Sequence, residues 1–99
     1  MSARDWGRGD TRRLTVHQFP RAVLELVYDA QGHHPCEDCH ALGLTPPPDE
    51  PLELDHKQPI SLGGDNHWSN LRRLCRSHNR GRGARAGAPK EPAWLRRAQ

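Results

Sequence analysis

Hydrophobic and polar positions recur on two different periods along this chain. Val23, Leu26, Val27 and Ala30 fall at i, i+3, i+4 and i+7, one face of a helix. Pro20 suits the first helical turn and Gly32 the stop, so the pattern predicts a helix within residues 19–32 that packs on the rest of the fold. Leu52-Glu53-Leu54-Asp55-His56 alternates with the period of a strand, and Leu71 to Cys75 can form a second. Between them Gly63-Gly64-Asp65-Asn66 is a strong turn signal within a loop from Gln58 to Asn66. Pro46, Pro47, Pro48 and Pro51 exclude helix and central strand from residues 41–51.

Beyond Cys75 a short basic helix is predicted, fraying at Gly81, Gly83 and Gly87 and ending before Pro89 and Pro92. Trp94-Leu95 either folds back as an anchor or stays mobile. Residues 1–18, with Gly7, Gly9, Arg4, Arg8, Arg12 and Arg13, are expected to form a flexible basic arm without chemistry of its own, and Trp6 has no explained role.

Composition changes the picture in two ways. A chain of 99 residues with 33% hydrophobic content buries a small core, and domains of this size commonly recruit a metal or disulfides. Three cysteines do not close into a full disulfide set, which favours the metal. No apolar run approaches a membrane span and no apolar segment follows the basic N-terminus, so neither a span nor a signal peptide is expected. The net charge of +3 is modest, but from Arg72 to Arg97 nine Arg or Lys residues face one acid, Glu91. Such a block fits a polyanion.

The metal has candidate ligands. Cys36-x-x-Cys39 presents two thiolates on one turn, and Cys75-x-x-His78 repeats the spacing downstream. A thioredoxin-like redox pair would need a βαβ pattern around it, and none is visible. The two half-sites together predict a tetrahedral structural zinc, with His33, His34 and His40 as alternative fourth ligands.

Strand, loop, strand and helix around these ligands resemble the ββα-metal fold of HNH endonucleases. The residues that carry the likeness are Asp55-His56, Pro59-Ile60-Ser61-Leu62-Gly63-Gly64-Asp65, Asn70-Leu71 and Leu74-Cys75-Arg76-Ser77-His78-Asn79. Cys36-x-x-Cys39 resembles the zinc-stapled branch of that family. The resemblance implies an α+β fold: an N-terminal helix, a nuclease domain over residues 33–86 with its zinc staple, and a basic C-terminal tail over residues 87–99.

It also implies roles. His56 would be the general base that activates water, Asn70 would orient the His56 imidazole, and Asp55 would bind one divalent cation (Mg2+, Mn2+ or Ni2+). Many zinc-stapled members end in Cys-x-x-Cys-His, whereas this chain has Cys75-Arg76-Ser77-His78-Asn79. Aligned without a gap, His78 takes the zinc position and Asn79 the catalytic-metal position. In the rival assignment His78 binds the catalytic metal, and zinc takes three cysteines plus another histidine. Arg72, Arg73, Arg76, Arg80, Arg82 and Arg85 would contact DNA, expected to be double-stranded.

The implied function is a nicking or weakly specific DNA endonuclease that leaves 5′-phosphate and 3′-hydroxyl ends. By the same resemblance it would work in the cytoplasm of a bacterial host, with phage genome packaging as its setting and packaging proteins as partners. A zinc-stapled nucleic-acid-binding module without catalysis is the alternative. It accounts for the basic block and both half-sites but gives no reason for Asp55, His56 and Asn70. A protein-interaction zinc domain is a third, weaker reading.

Overall fold

The structure, a computed structural model, describes residues 3–82 and 87–98. Strands β1 (Leu52–His56) and β2 (Leu71–Cys75) pair antiparallel, with Leu52 opposite Cys75 and His56 opposite Leu71. Both run over the residues expected, Leu52–His56 from its alternation and Leu71–Cys75 as the second strand. The Lys57 N–H donates to Asn70 O at 2.7 Å and the Arg76 N–H to Pro51 O at 2.8 Å, extending the ladder at each end.

A two-stranded ribbon is marginal alone, so it must be covered. Helix α1 (Arg21–Ala30) covers one part, burying Val23 and Val27 with Phe19 and Leu71, while Leu54, Trp6, Leu14, Leu24 and Trp68 pack around them. Pro20 stands at its N-cap and Gly32 adopts φ +72° beyond its end, close to the predicted punctuation. The buried stripe is narrower than expected, because Ala30 is exposed and Leu26 only half-buried.

The second cluster joins Cys36, Cys39, Leu74, Cys75 and Trp94, with Leu44, Leu52 and Leu95 against it. The Cys-x-x-Cys turn is helical here, as α2 (Glu37–Ala41). Helix α3 (Arg76–Arg82) follows β2 without a linker, and α4 (Ala93–Arg97) brings Trp94 back onto the cysteines. Of the two fates open to Trp94-Leu95, the anchor is observed. Gly83 and Arg85 lie outside the described residues.

The ribbon thus bridges two small cores, Leu52 serving one and Leu54 the other. The N-terminal segment, expected to be a flexible arm, lies against the loop before β2. Trp6 packs edge-on to Phe19 with ring centroids 5.7 Å apart, and the Gly9 N–H donates to Asp65 Oδ2 at 2.9 Å. Trp6 is therefore a lid on the α1 core. Among the described residues no helix is long and apolar enough to cross a membrane.

Candidate active site and metal centre

Cys36 starts α2 as its N-cap, and its Sγ accepts from the Cys39 N–H at 3.3 Å. The end of β2 supplies Cys75, and the first turn of α3 supplies His78. All four side chains are buried, and their ligand atoms lie within 4.8 Å of one another. Cys39 Sγ and Cys75 Sγ are 3.8 Å apart, and His78 Nδ1 lies 3.5, 3.4 and 3.4 Å from the sulfurs of Cys36, Cys39 and Cys75.

A tetrahedral zinc with ordinary bond lengths separates two sulfurs by about 3.8 Å, and a sulfur from an imidazole nitrogen by about 3.6 Å. The donor set and its spacing fit that ion. Burial, then the neighbouring Cys36, pushes the Cys39 thiol far above its usual range. Burial drives Cys75 up to about 11, against the pull of the His78 backbone N–H. A dication reverses this by making the thiolates the favoured form. His78 Nε2–H donates to Lys90 O at 2.6 Å, which holds Nδ1 toward the sulfurs in the way outer partners orient metal-binding imidazoles. His78 therefore sits with the cysteines, and His33, His34 and His40 are not in the cluster.

The neighbouring residues behave differently. Alternation along β1 places Glu53 and Asp55 on one face. Asp55 Oδ2 accepts from Arg72 Nε at 2.9 Å, its partner in the ladder. Asn79 Nδ2 donates to Glu53 Oε1 at 3.1 Å, so α3 lays Asn79 over the face that carries Asp55. With its nitrogen spent on Glu53, Asn79 has its amide oxygen to offer elsewhere. Asp55 keeps the oxygen that Arg72 does not take. Both are oxygen donors of the kind a hard divalent cation accepts. Arg76 and Arg80 approach Glu53 Oε2 at 3.4 and 3.7 Å.

His56 is the last residue of β1, paired with Leu71. Its Nε2 lies 2.8 Å from Asn66 Oδ1. This corrects the expectation that Asn70 would orient it. His56 stands opposite Leu71, so alternation turns Asn70 away from it. Asn70 clamps the loop instead. Its Oδ1 accepts from the Gln58 N–H at 2.8 Å, and its Nδ2 donates to Gln58 O at 3.0 Å and Asp65 O at 2.9 Å. Gly64 is required beside this clamp, because a Cβ there would come within 1.9 Å of Gln58 O. Among the described residues no hydrogen bond joins His56 to Asp55 or Asn79.

The predicted DNA-contacting arginines are not equivalent. Arg76 and Arg80 are exposed on α3. Arg72 is turned to Asp55, whereas Arg73 points to the opposite face, its guanidinium 5.0 Å from the centre of the Tyr28 ring. The side chain of Arg82 and all of Arg85 lie outside the described residues.

Three contributors escaped the sequence reading. Buried Glu50 accepts from the Ser77 N–H at 2.9 Å, the Ser77 hydroxyl at 2.6 Å and Arg97 at 3.1 Å, tying the start of α3 to α4. Burial pushes its carboxyl up, but the Ser77 bonds and Arg97 outweigh it and leave it below its ordinary value. Glu53 organises Asn79, and buried Asn66 holds His56. Glu50 follows a proline run and Asn66 a Gly-Gly turn, so local pattern marks both as loop residues. For Glu53 the two-residue spacing to Asp55 was an available signal.

No curated protein and no solved structure gives a match. The family model for HNH endonuclease matches residues 36–85, a span that begins at Cys36 and takes in Asp55, His56, Asn70, Cys75, His78 and Asn79. That span covers half of the chain, both strands, α3 and all four zinc-type donors; the chain belongs to the HNH endonuclease family of phosphodiester hydrolases.

Proposed function

We propose that the protein is a metal-dependent DNA endonuclease, nicking or weakly specific, that hydrolyses phosphodiesters to 5′-phosphate and 3′-hydroxyl ends. The observation that carries the reading is the pairing at the end of β1. His56 is held through Nε2 by Asn66, while the next residue back, Asp55, shares a face with the Asn79 that α3 delivers.

His56 takes a proton from the attacking water, a task suited to an imidazole whose free ring nitrogen accepts a proton. Asp55 and Asn79 hold one divalent cation (Mg2+, Mn2+ or Ni2+), which when bound neutralises charge developing on the phosphate and the leaving oxygen. Asn70 keeps the loop between the strands closed around His56. Cys36, Cys39, Cys75 and His78 hold zinc, which anchors α3 to β2 and so sets where Asn79 stands. Arg76 and Arg80 on α3 meet the phosphate backbone, a contact that positions DNA without reading its sequence.

The test is conversion of supercoiled plasmid to open circle with each divalent cation in turn, beside His56→Ala. The wild type nicks and the variant, still zinc-loaded and folded, loses roughly 100-fold or more. Wild-type protein that binds DNA and cuts with none of the three cations would leave the non-catalytic zinc-stapled binding module as the reading.

A further inference from the structure

The N-terminal segment lies outside the stretch that matches the family, yet it reaches His56 through one side chain. Asn66 is fully buried, and its amide has partners on both sides. Nδ2 donates to Arg12 O at 2.8 Å and to Asp10 Oδ1 at 3.2 Å. Both partners only accept, so the nitrogen must face them and Oδ1 must face His56. The backbone is fixed as well, since the Asn66 N–H donates to Asp10 O at 2.9 Å.

An amide oxygen cannot donate, so the hydrogen in the 2.8 Å contact belongs to His56 Nε2. In a neutral imidazole the lone pair then lies on Nδ1. We propose that Asn66, locked by residues Gly7–Arg12, is the positioning residue that fixes His56 as its Nε2–H tautomer and presents Nδ1 as the proton acceptor. This rests on the reading of His56 as the base. On it, the N-terminal segment is a working part of the site.

Two details support the lock. Asp10 is gripped by Arg12, whose Nη2 donates at 2.6 Å and backbone N–H at 3.0 Å, so the carboxylate stays an acceptor; Arg12 holds it well below the usual carboxylate range. Gly7, at φ +86°, lies over the Asn66 carbonyl, where a Cβ would come within 2.3 Å of the oxygen. Only glycine permits this approach. Asn66 is thus held from one side by the segment and presented on the other to His56.

The test uses the full-length, zinc-loaded protein and two variants, Asn66→Ala and Gly7→Ala. Nitrogen-15 NMR of the histidine rings reads the tautomer, with the His56 signals assigned by their loss in His56→Ala; plasmid nicking is followed in parallel. In wild type, His56 shows an Nε2–H proton protected from exchange with water. Asn66→Ala loses that protection, and kcat falls roughly tenfold to a hundredfold at unchanged KM and zinc content, a part of the general-base contribution. Gly7→Ala moves both readouts in the same direction by a smaller factor. A protected Nε2–H and a kcat within about twofold of wild type in the variants overturn the proposal. Should Asn66→Ala not fold, Gly7→Ala decides by the same two readouts. Should wild type not cut DNA, the nuclease reading fails, while the His56 N–H signal still decides whether Asn66 and the segment hold the ring.

Discussion

The Cys36–Cys39–Cys75–His78 centre and the Asp55–His56–Asn79 site share β-ribbon and helix but are built on opposite principles. The first is closed. Its four residues are buried, from Cys39 and Cys75 at 0% exposure to His78 at 5%, and their donor atoms face one another. The second is half-buried throughout, and each residue is held by a partner outside the set: Arg72 for Asp55, Asn66 for His56, Glu53 for Asn79. A structural metal site gains stability by completing its own shell, whereas a cutting site must leave positions open for water and substrate. The Asp55–His56–Asn79 set, proposed above as the cutting site, therefore borrows its rigidity from neighbours.

That contrast breaks most visibly at the closed site. Cys75→Ser, or a strong chelator, is expected to unfold the protein, because a structural zinc contributes on the order of 10 kcal/mol and total stability is about 5–15 kcal/mol. Circular dichroism with zinc titration checks it. Retention of the native spectrum without zinc would sink the staple. His56→Ala gives the reverse signature, the large loss of nicking already described with the melting temperature nearly unchanged.

Asn70→Ala lies between the two. It removes three hydrogen bonds that close the loop, costs about 1–3 kcal/mol, and lowers nicking together with the resistance of residues 57–65 to limited proteolysis. A rate loss with unchanged proteolysis would return Asn70 to the role of orienting the His56 imidazole.

The smallest expected effect is Glu50→Gln. Glu50 has a lowered carboxyl in the folded protein, so its contribution is fully present above the unfolded value near 4 and drains as pH falls through the folded value. At pH 7 the variant should melt roughly 4–8 °C lower, equivalent to about 1 kcal/mol, and the gap should close toward pH 3. A gap that widens in acid would mean that Glu50 is not held as a carboxylate.

Much of this was legible before folding. Alternation marked the first strand, and the repeated x-x spacing paired Cys36-Cys39 with Cys75-His78, because two ligands on one turn need no information from elsewhere in the chain. The structure brought those two half-sites together, with His78 among the cysteines. What was misplaced shares one cause. Residues 1–18 look like a polar arm because the contacts that hold them come from elsewhere in the chain: Phe19 for Trp6, Asn66 for Gly7 and Asp10, and Asp65 for Gly9. Asn70 looked like the partner of His56 because sequence does not say which of two nearby asparagines a strand's alternation turns toward the ring.

The sequence by itself determined the first strand, the two zinc-type half-sites and the likeness to the family, since each rests on a local period or spacing; the structure settled His78 as the fourth donor. Only the tertiary structure decided that Asn66 rather than Asn70 meets His56, that Glu53 holds Asn79, and that the N-terminal segment closes over the loop. Those contacts join residues as far apart as Asp10 and Asn66. Hydrogen-bond direction at a buried amide depends on every partner around it, and those partners become neighbours only when the chain has folded.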